Sequence, residues 1–369
     1  MERADNGEKM RQDLGECRDE INLIDDQITS LLLNRQDVAY KIGKIKGMLG
    51  LDILDPARER EVLERLSSKS DRNLTEEAIG HIFKEVFSAS RSVQRPLTVA
   101  YLGPEATFCH QAALSFYGHS TSFRGADTIK GVFDLVEKGP CQQGLVPIEN
   151  SYEGSVNITM DLLYEYDLKI VSETFLRIRH HLLSRSDGIE GIDRLFSHPM
   201  AIAQCRSWIK EHLPQIPVKE TGSTSVAAKK AADDPRAAAV GSRMSGITYG
   251  LNVVEENIED NPNNVTRFLS IGKADTIPSG KDKTSILFFV NHQPGALYKA
   301  LKPLARRGLN MSRIESRPMK TRNWEYLFFV DLEGHEQDDN VRKAIREIED
   351  CCSFMKRLGS YPGGGDPWD

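Results

Sequence analysis

The chain has 369 residues, of which 39% are hydrophobic and 28% charged, and a formal net charge of -6. That length predicts two or three domains of ordinary globular composition, and the acidic balance argues against nucleic acid as a partner, so anionic ligands must be drawn in by local clusters of arginine and lysine. No apolar run is long enough to span a membrane, the start Met1-Glu2-Arg3-Ala4-Asp5 lacks the basic and apolar regions of a secretory leader, and six cysteines without paired C-x-x-C spacing point to reduced thiols in a cytoplasmic protein, not to zinc or a disulfide framework.

From Leu14 to Leu49 the apolar residues recur in alternating steps of three and four, through Cys17, Ile21, Ile24, Ile28, Leu31, Val38, Ile42 and Ile45. This predicts one long helix packed against other helices. Arg35 lies inside the stripe, where an unpaired guanidinium would cost several kcal/mol on the order expected of a buried charge. It is either salt-bridged at a helix crossing or the wall of an anion site. Lys46, eleven residues on, faces the same way after a net rotation of roughly 20°. Arg18 lies about 25 Å before Arg35 along the helix, further than a small metabolite spans, so it serves such a site only from another protomer. Asp55 and Pro56 suit the N-cap and first position of a second helix, with Arg58 and Glu59 in its first turn. A third helix is predicted from about Thr75, and Ser90 and Gln94 share one of its faces.

This constellation, over residues 10–95, resembles the all-helical chorismate mutase domain of the AroQ class. Arg18, Arg35, Lys46, Asp55, Arg58, Glu59, Ser90 and Gln94 stand where that family has its substrate contacts. The resemblance implies an intertwined dimer with Arg18 donated from the partner. Chorismate carries two carboxylates and rearranges by a pericyclic step that needs no nucleophile, so the protein holds a reactive conformer and stabilises charge on the breaking ether oxygen. Arg18, Arg35 and Arg58 suit the carboxylates, Lys46 and Gln94 the ether oxygen, and Glu59 the ring hydroxyl.

After Arg95-Pro96 the pattern changes to short β-rich runs alternating with helical ones. Strands are predicted at 97–102, 144–148, 169–172, 175–178, 194–196, 237–240 and 266–271, with a helix over 108–117. This is an α/β domain, two lobes with a cleft at the strand ends. Polar residues cluster at those ends: Gly103 to Phe108, Pro147-Ile148-Glu149-Asn150-Ser151, Ser197-His198-Pro199 with Gln204-Cys205, Ser223-Thr224-Ser225 and Thr266-Arg267-Phe268. Singly, a hydroxyl after a strand reads as a helix cap. Together and in this order they resemble prephenate dehydratase over residues 97–275, a family of periplasmic-binding-protein-like shape. Cys109, where that family often has serine, has no assigned role.

The implied reaction removes the ring hydroxyl and carbon dioxide from prephenate, giving phenylpyruvate. A donor must protonate the leaving hydroxyl or hydrogen-bond to it. Thr266 is the first choice by resemblance; Glu149 is a proton source if burial raises its pKa, or else a structural carboxylate. Arg267 is expected to bind the side-chain carboxylate, Asn150, Ser197, Gln204 and Thr224 to orient the substrate, and Phe268 to line a poorly solvated pocket. His180 and His181 read as a polar strand end or as acid-base groups. Neither reaction needs a metal or an organic cofactor.

Residues 283–361 read strand (285–290), helix (297–306), strand (311–316), strand (326–332), helix (339–351) and strand (353–358), a ferredoxin-like βαββαβ unit. Pro294-Gly295-Ala296-Leu297, Gly308-Leu309-Asn310 and Glu315-Ser316-Arg317-Pro318 resemble the ACT regulatory module, which binds phenylalanine where two modules meet. Gly295 suits close approach of a carboxylate to a helix N-terminus. The tail from Pro362 to Asp369 reads as loose.

The chain is therefore expected to be a homo-oligomeric, three-domain enzyme that converts chorismate to prephenate and then to phenylpyruvate, inhibited by phenylalanine. Two alternatives are a dehydratase with the helical domain as a dimerisation scaffold, which would leave chorismate untouched, and a non-enzymatic sensor, which would bind prephenate without consuming it.

Overall fold

The computed structural model describes residues 2–51, 53–291, 293–318 and 326–364, with side chains from residue 9 onward. Most of the expected loose tail, 365–369, lies outside the described residues. The N-terminal region consists of α1 (Glu2–Leu49), α2 (Pro56–Ser67) and α3 (Glu76–Gln94). α1 starts at Glu2, well before the apolar stripe that begins at Leu14. Pro56 opens α2 as expected. Thr75 caps α3, its hydroxyl accepting from the Ala78 N–H at 3.2 Å. α1 and α3 approach closely at Gly43, where a Cβ would sit 2.8 Å from Gln94. No helix among the described residues is long and apolar enough to cross a membrane.

The central region alternates strands and helices: β1 (Thr98–Leu102), α4 (Phe108–Tyr117), β2 (Ser122–Ala126), α5 (Ile129–Glu137), β3 (Gln143–Asn150), β4 (Gly154–Ser155), α6 (Asn157–Glu165), β5 (Lys169–Arg177), β6 (His181–Ser184), β7 (Arg194–Ser197), α7 (Pro199–Gln204), α8 (Arg206–His212), β8 (Val218–Glu220), α9 (Thr224–Ala232), β9 (Ala237–Gly241), α10 (Arg243–Tyr249), β10 (Asn252–Glu255) and β11 (Val265–Gly272). Two sheets result. One runs β2-β1-β3-β11-β5 with β4 against β3, the other β10-β6-β9-β7-β8. They are the two expected lobes, and the chain crosses between them twice, at 178–180 and 256–264. The crossings are joined by Ile178 N–H to Asn264 O (2.7 Å) and Ile258 N–H to His180 O (2.8 Å). The two strands expected over 169–178 are one, β5, because antiparallel pairing along β11 carries it through Glu173 and Thr174. β2, β8 and β10 are edge strands with mostly exposed residues, so their sequences lack the apolar runs that mark a buried strand.

The C-terminal module is β12 (Asp282–Phe289), α11 (Ala296–Arg306), β13 (Met311–Pro318), β14 (Tyr326–Glu333), α12 (Asp339–Cys351) and β15 (Phe354–Pro362). Its antiparallel sheet has the order β13-β14-β12-β15, the ferredoxin-like arrangement. β15 extends past the expected end at Leu358, because Gly359 to Pro362 pair with β12. Gly359 has φ +134, and a Cβ there would lie 2.4 Å from the Ile170 carbonyl oxygen of β5. Only glycine lets the two strands come this close. One hydrophobic core spans both domains, with Val146, Ile148, Leu269 and Ile271 from the first sheet and Leu287, Phe329, Leu358 and Tyr361 from the third.

Within this junction lies a buried charge cluster. Alternation along β11 sends Arg267 to the face opposite Thr266. Its Nε donates to Glu173 Oε2 (2.7 Å), Nη1 to Asp331 Oδ2 (2.6 Å) and Nη2 to the Tyr361 hydroxyl (3.2 Å). Lys283 Nζ pairs with the second oxygen of Glu173 at 2.7 Å. Both carboxylates are fully buried and the guanidinium side chain is 8% exposed. Burial opposes ionisation of Glu173, yet Arg267 and Lys283 outweigh it and hold the carboxyl below its ordinary range. Removing one partner leaves an uncompensated buried charge. Asp331→Ala is accordingly expected to destabilise the chain by about 3–5 kcal/mol, read from urea unfolding; a loss below about 1 kcal/mol, the worth of an exposed pair, would show that the cluster is solvated.

Candidate active sites and regulatory cavity

In the helical region the structure joins α1 to α3 through polar groups. An Arg35 Nη donates to Ser90 Oγ, which donates to the Val86 carbonyl at 2.7 Å, and the guanidinium lies 5.5 Å from the centroid of the Phe87 ring. Gln94 donates through Nε2 to the Ser90 carbonyl (3.2 Å). Lys46 donates to the Ile53 carbonyl (3.1 Å) and lies 3.9 Å from Asp55. Arg35, Lys46, Asp55, Ser90 and Gln94 thus belong to one helical body, while Arg58 and Glu59 occupy the first turn of α2. Arg18 is exposed on α1. Sequence reasoning passed over Phe87, whose place one turn before Ser90 on an amphipathic helix read as core.

The cleft of the central region is built on an amide chain. Asn150 ends β3, and its Oδ1 accepts the backbone N–H groups of Tyr152 (2.9 Å) and Glu153 (3.0 Å). Its Nδ2 must then face the other way. There it donates to Thr266 Oγ1 (2.8 Å) and to Asn264 Oδ1 (2.7 Å). Asn264 Nδ2 donates to Gln204 Oε1 (3.1 Å), which also faces His180 Nε2 at 2.9 Å. Gln204 Nε2 lies 3.5 Å from Glu153 Oε1. Asn150 and Thr266 come from one lobe, Gln204 from the other, and Asn264 and His180 from the two crossings between them. Asn264 was missed, although Asn263-Asn264 just ahead of the Thr266 strand is a polar pair of the kind that ends a loop.

A second seam closes the cleft floor. Thr107 caps α4, and Ala106, in the left-handed region at φ 63, accepts at its carbonyl from Ser245 Oγ (2.8 Å). The Glu105 carbonyl accepts from Ser225 Oγ. The hydroxyls of α9 and α10 therefore hold the loop of the opposite lobe. Ser223 is the N-cap of α9, as the capping reading expected, with Thr224 the first residue of the helix.

Several expected contacts are placed otherwise. Arg267 points away from the cleft into the charge cluster, since successive strand residues face opposite sides; it is not available to a substrate carboxylate. Phe268 is sealed in the core at 1% exposure. Glu149 is 41% exposed and ion-pairs with Arg313 Nε of β13 at 3.3 Å, the structural role that was its alternative. Ser197 is fully buried, its hydroxyl donating to the Val240 carbonyl (2.9 Å).

In the C-terminal module a cavity of about 330 Å³ opens at the start of α11, lined by Gly295, Ala296, Leu297 and Tyr298 with Val290, Asn291, Gln293, Tyr326 and Phe328. Gly295, at φ 78, turns the chain into the helix. The other expected regulatory residues do not line it. Asn310 Nδ2 donates to Glu333 (2.7 Å), and Arg317 pairs with Asp161 of α6 at 2.7 Å. Glu315, Ser316 and Pro318 lie along β13, the edge strand furthest from β15.

Comparison with known proteins agrees with this architecture. Residues 17–95 match the type II chorismate mutase family, 99–276 the prephenate dehydratase family and 284–350 the ACT domain. A bifunctional chorismate mutase/prephenate dehydratase of Aquifex aeolicus is 47% identical, over 95% of this chain and 98% of its own. One of Neisseria gonorrhoeae is 41% identical over 94% and 96%. The crystal structure of a prephenate dehydratase from Arthrobacter aurescens in complex with L-Phe superposes with a TM-score of 0.67 at 34% identity, covering 72% of this chain and 90% of that one. With relatives matched almost from end to end and all three domains present in sequence, the chain belongs to the family of bifunctional chorismate mutase/prephenate dehydratases.

Proposed function

We propose that the helical domain, about residues 10–95, rearranges chorismate to prephenate, that the two-lobed domain, 97–275, dehydrates and decarboxylates prephenate to phenylpyruvate, and that phenylalanine bound to the module at 283–361 inhibits the enzyme. The observation that carries the dehydratase assignment is the direction of one hydrogen bond. Asn150 is held by two backbone donors, so it can only donate to Thr266 Oγ1. The threonine hydroxyl therefore spends an acceptor site on Asn150 and keeps its proton for the substrate. It donates to the departing ring hydroxyl as the C–O bond breaks, while the carboxylate leaves as carbon dioxide and the ring becomes aromatic. Gln204 orients the ring, and Thr224 at the start of α9 receives the side-chain carboxylate that Arg267 does not reach.

In the mutase site Arg35 and Arg58 hold the two carboxylates of chorismate, Asp55, Glu59 and Ser90 orient it, and Lys46 and Gln94 stabilise the ether oxygen as charge develops. Arg18 acts in the site of a second copy. This is supported by the stripe Ile21, Ile24, Ile28, Leu31, Val38, Ile42 and Ile45, which is between 44% and 68% exposed and matches the pattern of a helix that packs against helices. The enzyme is thus a homo-oligomer, and its free cysteines suit the reducing cytoplasm.

Given chorismate alone, the chain is expected to release prephenate and then phenylpyruvate. Thr266→Val should cut the dehydratase rate by about 10²- to 10⁴-fold while chorismate is still consumed, so prephenate accumulates; phenylpyruvate formation at the parent rate would remove Thr266 from the chemistry. Because Gln94 is an amide and does not titrate, the mutase rate should be level around neutral pH, and a steep fall on the alkaline side would point to a different donor. Gly295→Val forces a β-branched residue into the left-handed region at a cost of about 1–2 kcal/mol. The phenylalanine concentration for half-inhibition should rise roughly tenfold; unchanged inhibition would place the effector outside the cavity at α11.

A further inference from the structure

We infer that His180 is a positioning residue of the dehydratase reaction, whose Nε2–H locks the Gln204 amide in the direction that the chain from Asn150 through Asn264 requires. This rests on the dehydratase reading above. The amide chain has a polarity, and that polarity is fixed from both ends. At one end the backbone N–H groups of Tyr152 and Glu153 hold Asn150. Each amide after it must present oxygen toward Asn150 and nitrogen away, or two donors would meet. At the other end Gln204 Oε1 receives Asn264 and faces His180 Nε2.

Only the Nε2–H tautomer suits that place. With the proton on Nδ1, the Nε2 lone pair would oppose the Gln204 oxygen, and a buried N–H would be left without an acceptor, since Nδ1 has no hydrogen-bond partner among the described residues. The ring is 2% exposed, and the Phe108 ring meets it edge-on at 5.2 Å, so it cannot swing to another partner. Burial also lowers its pKa, which keeps it neutral. Its backbone is equally constrained: the His180 N–H donates to Glu259 (2.8 Å) and its carbonyl accepts from Ile258. Gln204, by contrast, has on its nitrogen side only the 3.5 Å contact with Glu153 among the described residues. Losing the histidine donor frees Gln204 to rotate. Because His180 belongs to a crossing between the lobes while Gln204 belongs to the second lobe, the amide chain is complete only when both are in register.

The test compares His180→Phe, which keeps the ring's shape but has no donor, with His180→Gln, whose amide nitrogen reaches near the Nε2 position. Both are assayed as the full chain on prephenate, with chorismate turnover in the same chain as the measure of folded enzyme. His180→Phe should lower the dehydratase kcat by about tenfold or more, the worth of one positioned hydrogen bond in a barrier, with KM little changed and chorismate turnover intact. His180→Gln should recover most of the kcat. A parent-like kcat in His180→Phe, or equal impairment of both variants, would overturn the inference. Should His180→Phe not fold, the histidine ¹⁵N spectrum of the parent chain decides: the Nε2–H tautomer is expected for His180 from pH 6 to 8, and the Nδ1–H tautomer would refute the proposed direction. If the parent chain fails to consume prephenate, it is the dehydratase reading that falls, and the tautomer still tests the amide chain.

Discussion

The guanidinium of Arg267 is the constraint on which the rest of the catalytic core depends. A buried cation is tolerated only when its charge and its N–H groups are matched, and here the matching groups come from different sheets. Glu173 belongs to the same sheet as Arg267; Asp331 and Tyr361 belong to the regulatory sheet. Lys283 completes the balance, two positive charges against two negative. Thr266 is the preceding residue on the same strand, so the position of its hydroxyl is tied to a charge cluster that exists only while the regulatory sheet is docked. The two domains also share a hydrophobic core and the close approach at Gly359. They behave as one structural body with two functions.

A second tie runs along β13. The Arg313 side chain is 8% exposed, lies 5.0 Å from the Phe329 ring centroid and pairs with Glu149, the neighbour of Asn150. Arg317 holds α6 through Asp161. A ligand in the cavity at α11 would act on the dehydratase cleft by favouring one of two arrangements of the protein, by as much as its affinity for them differs. The cleft strands β3 and β11 each have a buried arginine contact with the regulatory sheet, so a change in that sheet has two physical routes to Asn150 and Thr266.

The two active sites illustrate how different reactions ask for different chemistry. A pericyclic rearrangement transfers no proton to the protein, and its site is made of fixed charges and amides around helices. Dehydration needs a proton delivered to a poor leaving group, and the site proposed for it is built of a hydroxyl, amides and an imidazole whose hydrogen bonds run in a defined direction. In the second site the information lies in hydrogen-bond polarity, which no single residue carries.

Much of this was legible in the sequence. Periodicity gave the long helix and its sites for Arg35 and Lys46, the amphipathic stretch from Thr75 gave the start of α3, and the strand-loop alternation gave the two lobes. The mixed order of strands and helices also identified the ferredoxin-like module, with α12 placed from Asp339 to Cys351. What failed did so for reasons of tertiary contact. Thr266, Arg267 and Phe268 read as one motif facing one substrate, but a strand alternates, and only the docked regulatory sheet decides which face meets the cleft and which meets Glu173 and Asp331. Likewise β15 ran on past Gly359 because its partner β12 lay beside it, and Asn264 and His180 gained meaning only when a crossing between lobes brought them to Gln204. The sequence by itself determined the three domains, their order and many of their buried elements, because those follow from local periodicity and residue chemistry. Facing direction, charge partnership and hydrogen-bond polarity were decided by the tertiary structure, because each depends on a group distant in the chain.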